Sequence, residues 1–458
     1  MSAALDFSHY PFDPDSLPAG WVVTSVGAAS IDIKSGFASG AHNSDGHGVP
    51  HLRPMNIGPE GEIDMSDLRF VDAEGGPRLA PGDVLFNNTN SPAWVGKTAL
   101  VTQEAPVAFS NHMTRLRMAE GVVPRFAALQ LQYLCTSGYF RHRCKKHVNQ
   151  ASISATTLAE TVPFILPPTA AQHRIVAKLD ELLASSRAAR SALDAVPALL
   201  EQYKQSVLDA AFAGELKGSS TGTRHWTRAP LEQLVTDGRK IAYGVLKPGD
   251  HVPNGVRLLK SGQVRDGYLD LSDDFRISEA LAAQYWRTRL HGGEVLLNLV
   301  GASIGRSAVA PAGLAGANVS RAIAVIPVND GLAEWVQLAL QGPAGQRLMR
   351  AATGGSAQPV LNLGEVRQIE IPVPPPSERA AVLQAVREAF GTASRVLGRY
   401  QTAMQEQSRL ESSFVAKAFR GGLVPQDSAD EPASVLLERG RAPVATTARR
   451  RGRAGTGM

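Results

Sequence analysis

Two long stretches of this chain place apolar residues at alternating steps of four and three. In the first, Ile175, Leu179, Leu182, Ser186, Ala189, Leu193, Val196, Leu200, Tyr203, Val207 and Ala210 keep the rhythm, and Phe212 closes it. In the second, Val382, Val386, Ala389, Ala393, Val396, Tyr400, Ala403, Gln407, Leu410 and Phe414 do the same, closed by Phe419. This is the a/d seam of a heptad helix, held for four to five heptads. About 45 residues at 1.5 Å rise reach roughly 65 Å, more than the width of a small domain. The pattern therefore predicts two long helices that pair with each other rather than two core helices. Pro197 removes a backbone donor and predicts a kink or break in the first. Thr169 and Ser377, each just after a run of prolines, read as N-caps, and Gly214 and Gly421 as the residues that end the helices. The remaining segments carry short β-type runs such as 84–86, 295–300 and 322–328 between DG, SG and GG turns. Leu129–Phe140 and Ala333–Met349 read as helical, so the globular parts are α+β with a curved sheet.

The pattern repeats. Residues 206–216 (SVLDAAFAGEL) match 413–423 (SFVAKAFRGGL) at an offset of 207, which also pairs Pro167-Pro168 with Pro374-Pro375 and Leu52-Arg53 with Leu259-Lys260. With small shifts, 82–90 resembles 293–301, Val95-Gly96-Lys97 resembles Ile304-Gly305-Arg306, and Gln150 corresponds to Gln358. The chain is two copies of one unit, each a mixed globular region followed by a long helix. Equivalent contacts between the copies imply a pseudo-two-fold axis and antiparallel helices. The organisation reads as a globular region over 1–166, a helical region over 167–216, a polar linker over 217–225, a second globular region over 226–373, a second helical region over 374–424 and a C-terminal segment over 425–458.

Composition narrows the function. At 43% hydrophobic and 19% charged, the 458 residues can bury a core. No run is long and apolar enough for a membrane helix, the N-terminus lacks a secretory pattern, and two cysteines make no disulfide framework, which points to the cytoplasm. The net charge of +5 equals the five arginines of the acid-free stretch 441–458, so the rest of the chain is neutral and basicity says nothing about the folded body.

At this point the residues carry a resemblance. The order of globular unit, PP-helix, globular unit and PPP-helix is similar to the specificity (S) subunit of type I restriction-modification enzymes. LPAGW at 17–21, the stretches 36–57 and 82–97, GEVLLNLVGASIGRSAV at 293–309, LPPTAAQHRIVAKLDELL at 166–183 and 418–442 each resemble parts of that family. Arg379 departs from it, standing where a glutamine is usual before the second helix. The resemblance implies a subunit without catalysis of its own. It implies two target-recognition domains that each read half of a bipartite double-stranded DNA site, and helices that set the spacer and dock two methyltransferase (M) subunits. S-adenosylmethionine, ATP and Mg2+ would belong to those and to restriction (R) subunits.

Motifs for catalysis are missing: there is no Walker A sequence, no paired prolines followed by an aromatic, and the one Glu-x-Lys, Glu215-Leu216-Lys217, lies just past a helix end. His142-x-Cys144-x-x-His147 sits among Arg141, Arg143, Lys145 and Lys146, which would repel a cation, so no metal is expected and a basic DNA-facing patch is the better reading. Base edges demand amide, hydroxyl and cationic side chains. In the first region these are Arg53, Asn56, Asn87, Asn88, Thr89, Asn90, Ser91 and Lys97, with Lys145 and Lys146. In the second they are Lys260, Gln263, Asn298, Ser303 and Arg306. The alternative is a coiled-coil adaptor whose globular regions read no DNA.

Overall fold

A computed structural model describes residues 4–40, 42–72, 76–104, 107–148, 150–216, 225–353 and 359–441. Gln358, nearly all of the linker 217–225 and the arginine stretch from 442 onward lie outside the described residues. The chain forms two compact units: Met1–Ala192 with Ala403–Met458, and Leu193–Thr402. Each unit therefore holds one globular region and parts of both helical regions.

In the first unit, strands Ser30–Ser35, Met113–Met118, Val84–Asn87 and Thr98–Leu100 form an antiparallel sheet in that order. A second sheet orders Arg69–Val71, Val49–Leu52, Val107–Phe109 and Arg78–Leu79, and its central pair is parallel, with Leu52 opposite Phe109. The helix Pro124–Thr136 buries Phe126, Leu131 and Leu134 in the same core as Val84, Phe86 and Leu116. The second unit repeats this plan. Ala242–Tyr243, Ile323–Ile326, Val295–Asn298 and Ser307–Val309 make the antiparallel sheet, and Arg276–Ile277, Val256–Leu259 and Asn318–Val319 the other, again with a parallel pair, Leu259 opposite Val319. In each region the first and last strands pair and close it: Val22–Ser25 with Pro163–Leu166, Thr227–Pro230 with Glu370–Val373.

The helices are Thr169–Leu193, Val196–Ala213 and Pro376–Phe419. The first pattern is broken where Pro197 predicts it. Two turn residues interrupt the helix, and Pro197 sits in the first turn of the new one, where no amide donor is needed. Gly214 (φ 72°) and Gly421 (φ 75°) end their helices left-handed, with Glu215 N–H donating to Ala210 O (2.8 Å) and Gly422 N–H to Lys417 O (2.9 Å). Within the first unit, Ser186 donates to Glu411 Oε1 (2.6 Å) and accepts from Gln407 Nε2 (2.8 Å), while the earlier residues Ile175 and Leu179 share a core with the later Phe419. Within the second unit, Val207, Leu208 and Ala211 share a core with Val382, Leu383 and Val386. Early residues of one helical region meet late residues of the other, so the pairing is antiparallel.

Two local expectations are corrected. Thr169 and Ser377 lie inside the first helical turn rather than at the cap, and the Thr169 hydroxyl donates to Gly121 O (2.8 Å). The seam of the long helix also slips by one residue: Val396 and Leu410 are 40% and 51% exposed, and Leu397, Met404 and Glu411 are the half-buried positions instead. Two consecutive steps of four, from Ala389 through Ala393 to Leu397, relieve the drift that a strict heptad accumulates on a straight helix.

Candidate nucleic-acid interface

Several of the polar residues singled out by sequence type build the turns on which a site would stand. Arg53 N–H donates to Asn56 Oδ1 (2.9 Å), its guanidinium pairs with Asp67 (3.2 Å), and the buried Asn56 amide donates to Asp64 O (3.1 Å) and Asp67 O (3.2 Å). Lys260, Gln263 and Asp273 repeat this: Lys260 N–H donates to Gln263 Oε1 (2.9 Å), Lys260 Nζ meets Asp273 (3.0 Å), and Gln263 Nε2 donates to Asp270 O (3.1 Å) and Asp273 O (2.9 Å). Asn87 and Asn298 are fully buried and donate to Pro54 O and Ser261 O, both at 2.9 Å. Asn88 donates to Asn111 O (3.0 Å) and Thr114 Oγ1 (2.9 Å). Lys97 is buried and donates to Ile57 O; burial lowers its pKa, opposed by Cys135 and Glu62. Its counterpart Arg306 is half-buried and lies 3.8 Å from Asp266, and Ser303 Oγ donates to Val300 O (3.3 Å). Ser91 N–H donates to Asn90 Oδ1 (2.8 Å). Most of these side chains hold backbone, while Lys260 and Arg306 meet carboxylates.

Four of the candidates are brought together. Thr89–Asn90 pairs with Ala151–Ser152, which pairs with Lys145–Lys146, so Lys145 and Thr89 flank Ser152 while Lys146 and Asn90 flank Ala151. Lys145 and Lys146 are exposed on the outer strand, and Arg141 and His142 are exposed beside it. His142 stacks on His9 (centroids 4.1 Å apart), and Cys144 Sγ contacts Arg141 O at 3.3 Å. Among the described residues no group of three or more His, Cys, Asp or Glu could hold a metal ion.

Sequence reasoning missed the continuation of this edge. Asn88 and Thr89 N–H both donate to His112 O (3.0 and 3.2 Å), and Asn111 N–H donates to Phe37 O (3.1 Å). The edge thus runs from the loop after Phe37, across the turn Ser110–Asn111–His112, to Thr89–Asn90 and the basic strand. At its inner end His51 lies within hydrogen-bond distance of His42 (ring nitrogens 3.3 Å apart), and burial lowers its pKa to about 4, reinforced by His42. The second unit has the same edge: Arg321 N–H donates to Val245 O (2.9 Å) and Leu299 N–H to Ala322 O (2.8 Å). A signal was present in paired glycines at an offset of 208. A Cβ on Gly36 would stand 2.0 Å from Phe109 O, and one on Gly244 1.7 Å from Val319 O. Both positions need glycine for close backbone approach, and both open a surface loop.

Of the helix residues, Ile175, Leu179, Val207, Val382, Val386 and Phe419 are buried. Leu182, Leu193, Leu200, Phe212 and Phe414 are half-buried. Leu199 and Tyr203 join Val396 and Leu410 as exposed apolar side chains on the helices. None of the described helices is long and apolar enough to cross a membrane.

The family model described as "Type I restriction modification DNA specificity domain" matches residues 68–193. The EcoBI specificity subunit of Escherichia coli is 28% identical over 93% of this chain and 92% of its own length; the EcoKI specificity subunit of E. coli K12 is 24% identical over 92% and 95%. Over nearly its whole length the chain is similar to type I restriction-modification specificity subunits. A solved structure described under complex assembly of a type I R-M system superposes with a TM-score of 0.68 at 17% identity, covering 89% of this chain and 99% of that one. The HsdS subunit from Thermoanaerobacter tengcongensis superposes at 0.53 with 19% identity, covering 89% and 98%. These likenesses bear on the fold: two mixed α/β regions, each followed by a long helical region.

Proposed function

We propose that each globular region reads one half of a bipartite double-stranded DNA site, and that the helical regions set the spacer and dock two M subunits. The single observation that carries this reading is the pair of equivalent edges, built on matching turns but bearing different exposed side chains. Two half-sites of different sequence call for that arrangement. In the first region the outer strand supplies Lys145 and Lys146 for phosphate, beside Thr89 and Asn90 with groups able to meet base edges. The exposed Leu199, Tyr203, Val396 and Leu410 support helices that also face a partner. S-adenosylmethionine, ATP and Mg2+ are then bound by M and R subunits rather than by this chain, and the complex works in the cytoplasm.

The test is a map of methylated adenines in a host genome with and without this gene, the M partner supplied. A gene-dependent bipartite motif with a fixed spacer is expected. Absence of any new motif while the M subunit is bound would favour the adaptor reading.

A further inference from the structure

Two short turns occupy the same place in the two regions, and their backbones are pinned in the same way. Ser110 N–H donates to Leu52 O (2.9 Å), Asn111 N–H to Phe37 O (3.1 Å) and Met113 N–H to Ser110 O (2.9 Å). Ser320 N–H donates to Leu259 O (2.8 Å), Arg321 N–H to Val245 O (2.9 Å) and Ile323 N–H to Ser320 O (3.0 Å). Phe37 bridges Ser110 in parallel, and Val245 bridges Ser320 likewise. At the centre of the first turn Asn111 and His112 are exposed, and at the centre of the second Arg321 is exposed.

Arg321, like Lys240, Lys247, Arg347 and Arg350, stands apart from the paired cations of its region, and it alone of these sits on a pinned turn. Arg239, Arg257, Lys260, Arg265, Arg276 and Arg306 each pair with a carboxylate. The Arg321 guanidinium has no hydrogen-bond or ion-pair partner among the described residues. An unpaired fork on a fixed backbone is prepared for a planar, two-acceptor ligand, and the O6/N7 edge of guanine is such a ligand. At Asn111, Ser110 Oγ donates to Oδ1 (3.2 Å) and so orients the amide. An oriented carboxamide offers one donor and one acceptor, the complement of the N6/N7 edge of adenine.

We propose that these turns are the base-reading turns, Arg321 reading a guanine in the half-site of the second region and Asn111 an adenine in that of the first. The proposal rests on the half-site reading above. The test uses the full chain with its M partner: the methylation map and DNA affinity of wild type, Arg321→Ala, Arg321→Lys and Asn111→Ala. Both side chains are exposed, and M binding reports that each variant is folded. Arg321→Ala should relax one guanine position in one half-site and weaken binding to the cognate site roughly tenfold to a hundredfold. Arg321→Lys keeps the charge but not the fork, and should relax the same position. Asn111→Ala should relax an adenine position in the opposite half. Uniform weakening on all sequences, with the salt slope reduced by about one, would make Arg321 a phosphate contact and overturn the proposal. Relaxation of the same half by both variants, or an unchanged motif and affinity, would also overturn it. If wild type itself yields no bipartite motif, the half-site reading is what has failed.

Discussion

The two globular regions share one backbone plan and differ in what they fasten and what they leave open. Buried polar roles are repeated with like residues: Arg53 and Lys260, Asn56 and Gln263, Asn87 and Asn298. Asp83 and Glu294, both buried, each accept N–H bonds from the turn just before them and pair with an arginine, Arg117 or Arg239. Edge positions are not repeated: Asn111-His112 stands against Arg321-Ala322, and Thr89-Asn90 against Val300-Gly301. The crevice between each region and its helices differs too. In the first unit it encloses about 160 Å³, narrowed by Arg190 on Glu60 (2.9 Å) and by Gln132 donating to Pro59 O (2.6 Å); in the second it encloses about 860 Å³. A polar residue that recurs in both copies is holding the scaffold; a reader of sequence must be free to differ.

The sharpest test of unequal fastening is Phe419 against its repeat partner Phe212. Phe419 is fully buried, with the rings of Phe126 (5.1 Å), Phe12 (5.8 Å) and Tyr133 (6.2 Å) around it, whereas Phe212 is half-buried with Trp335 at 4.7 Å. Phe419→Ala should cost about 3–5 kcal/mol and Phe212→Ala roughly 1–2, read from denaturant midpoints. Equal losses would show that the two helix ends are fastened alike. Gln172 comes next. It accepts from Val123 N–H (2.7 Å) and donates to Gly121 O (3.1 Å) and Pro167 O (2.9 Å), tying the helix start to a turn. In the second unit Arg379 lies against Gly331, the counterpart of Gly121, in place of a buried amide. Gln172→Ala should cost about 1–3 kcal/mol by leaving a buried donor unpaired, and Arg379→Ala less than about 0.5 kcal/mol. Lys145→Ala with Lys146→Ala should leave stability within about 0.5 kcal/mol while lowering the salt slope of DNA binding by about two. An unchanged slope would remove the basic strand from the interface.

Much of the fold was legible because it rests on strong local signals. The repeat of PP, the heptad rhythm and the terminal glycines placed both helical regions, and Pro197 broke its helix as its missing N–H requires. The seam was legible for most of its length and then slipped, because a 3.5-residue reading cannot register two successive steps of four. Thr169 could not be recognised as an interior residue, since its partner Gly121 lies 48 positions away. The site was less legible than the fold. Asn87, Asn88 and Lys97 have the residue types of DNA readers, yet here they are buried and their donors bond Pro54 O, Asn111 O with Thr114 Oγ1, and Ile57 O. Asn111 and Arg321 were overlooked because no local pattern marks them; the hydrogen bonds that rigidify their turns come from Phe37 and Val245, over 70 residues earlier.

The smallest effect expected from the comparison is in acid. Burial opposes ionisation of Glu294, but the Arg239 hydrogen bond (2.7 Å) and N–H donation from His291 outweigh it and hold its pKa below the ordinary value of 4.5. In the first unit Arg174, bonded to Asp430 (2.6 Å), holds that carboxylate below 3.8. A depressed folded pKa means that the unfolded chain binds the proton more tightly. Both contributions are therefore fully present at neutral pH and are lost as pH falls below 4.5 and 3.8 toward the folded values. Denaturant midpoints followed from pH 7 to about pH 3 should stay level and then fall. Glu294→Gln cannot ionise at that site, so it should start less stable at pH 7 and show a shallower acid limb for the second unit. Asp430→Asn should do the same for the first unit and leave the second unchanged. Equal flattening of both transitions by either variant would mean that the two units unfold together, and the contrast in fastening would then have to be sought in rates rather than midpoints.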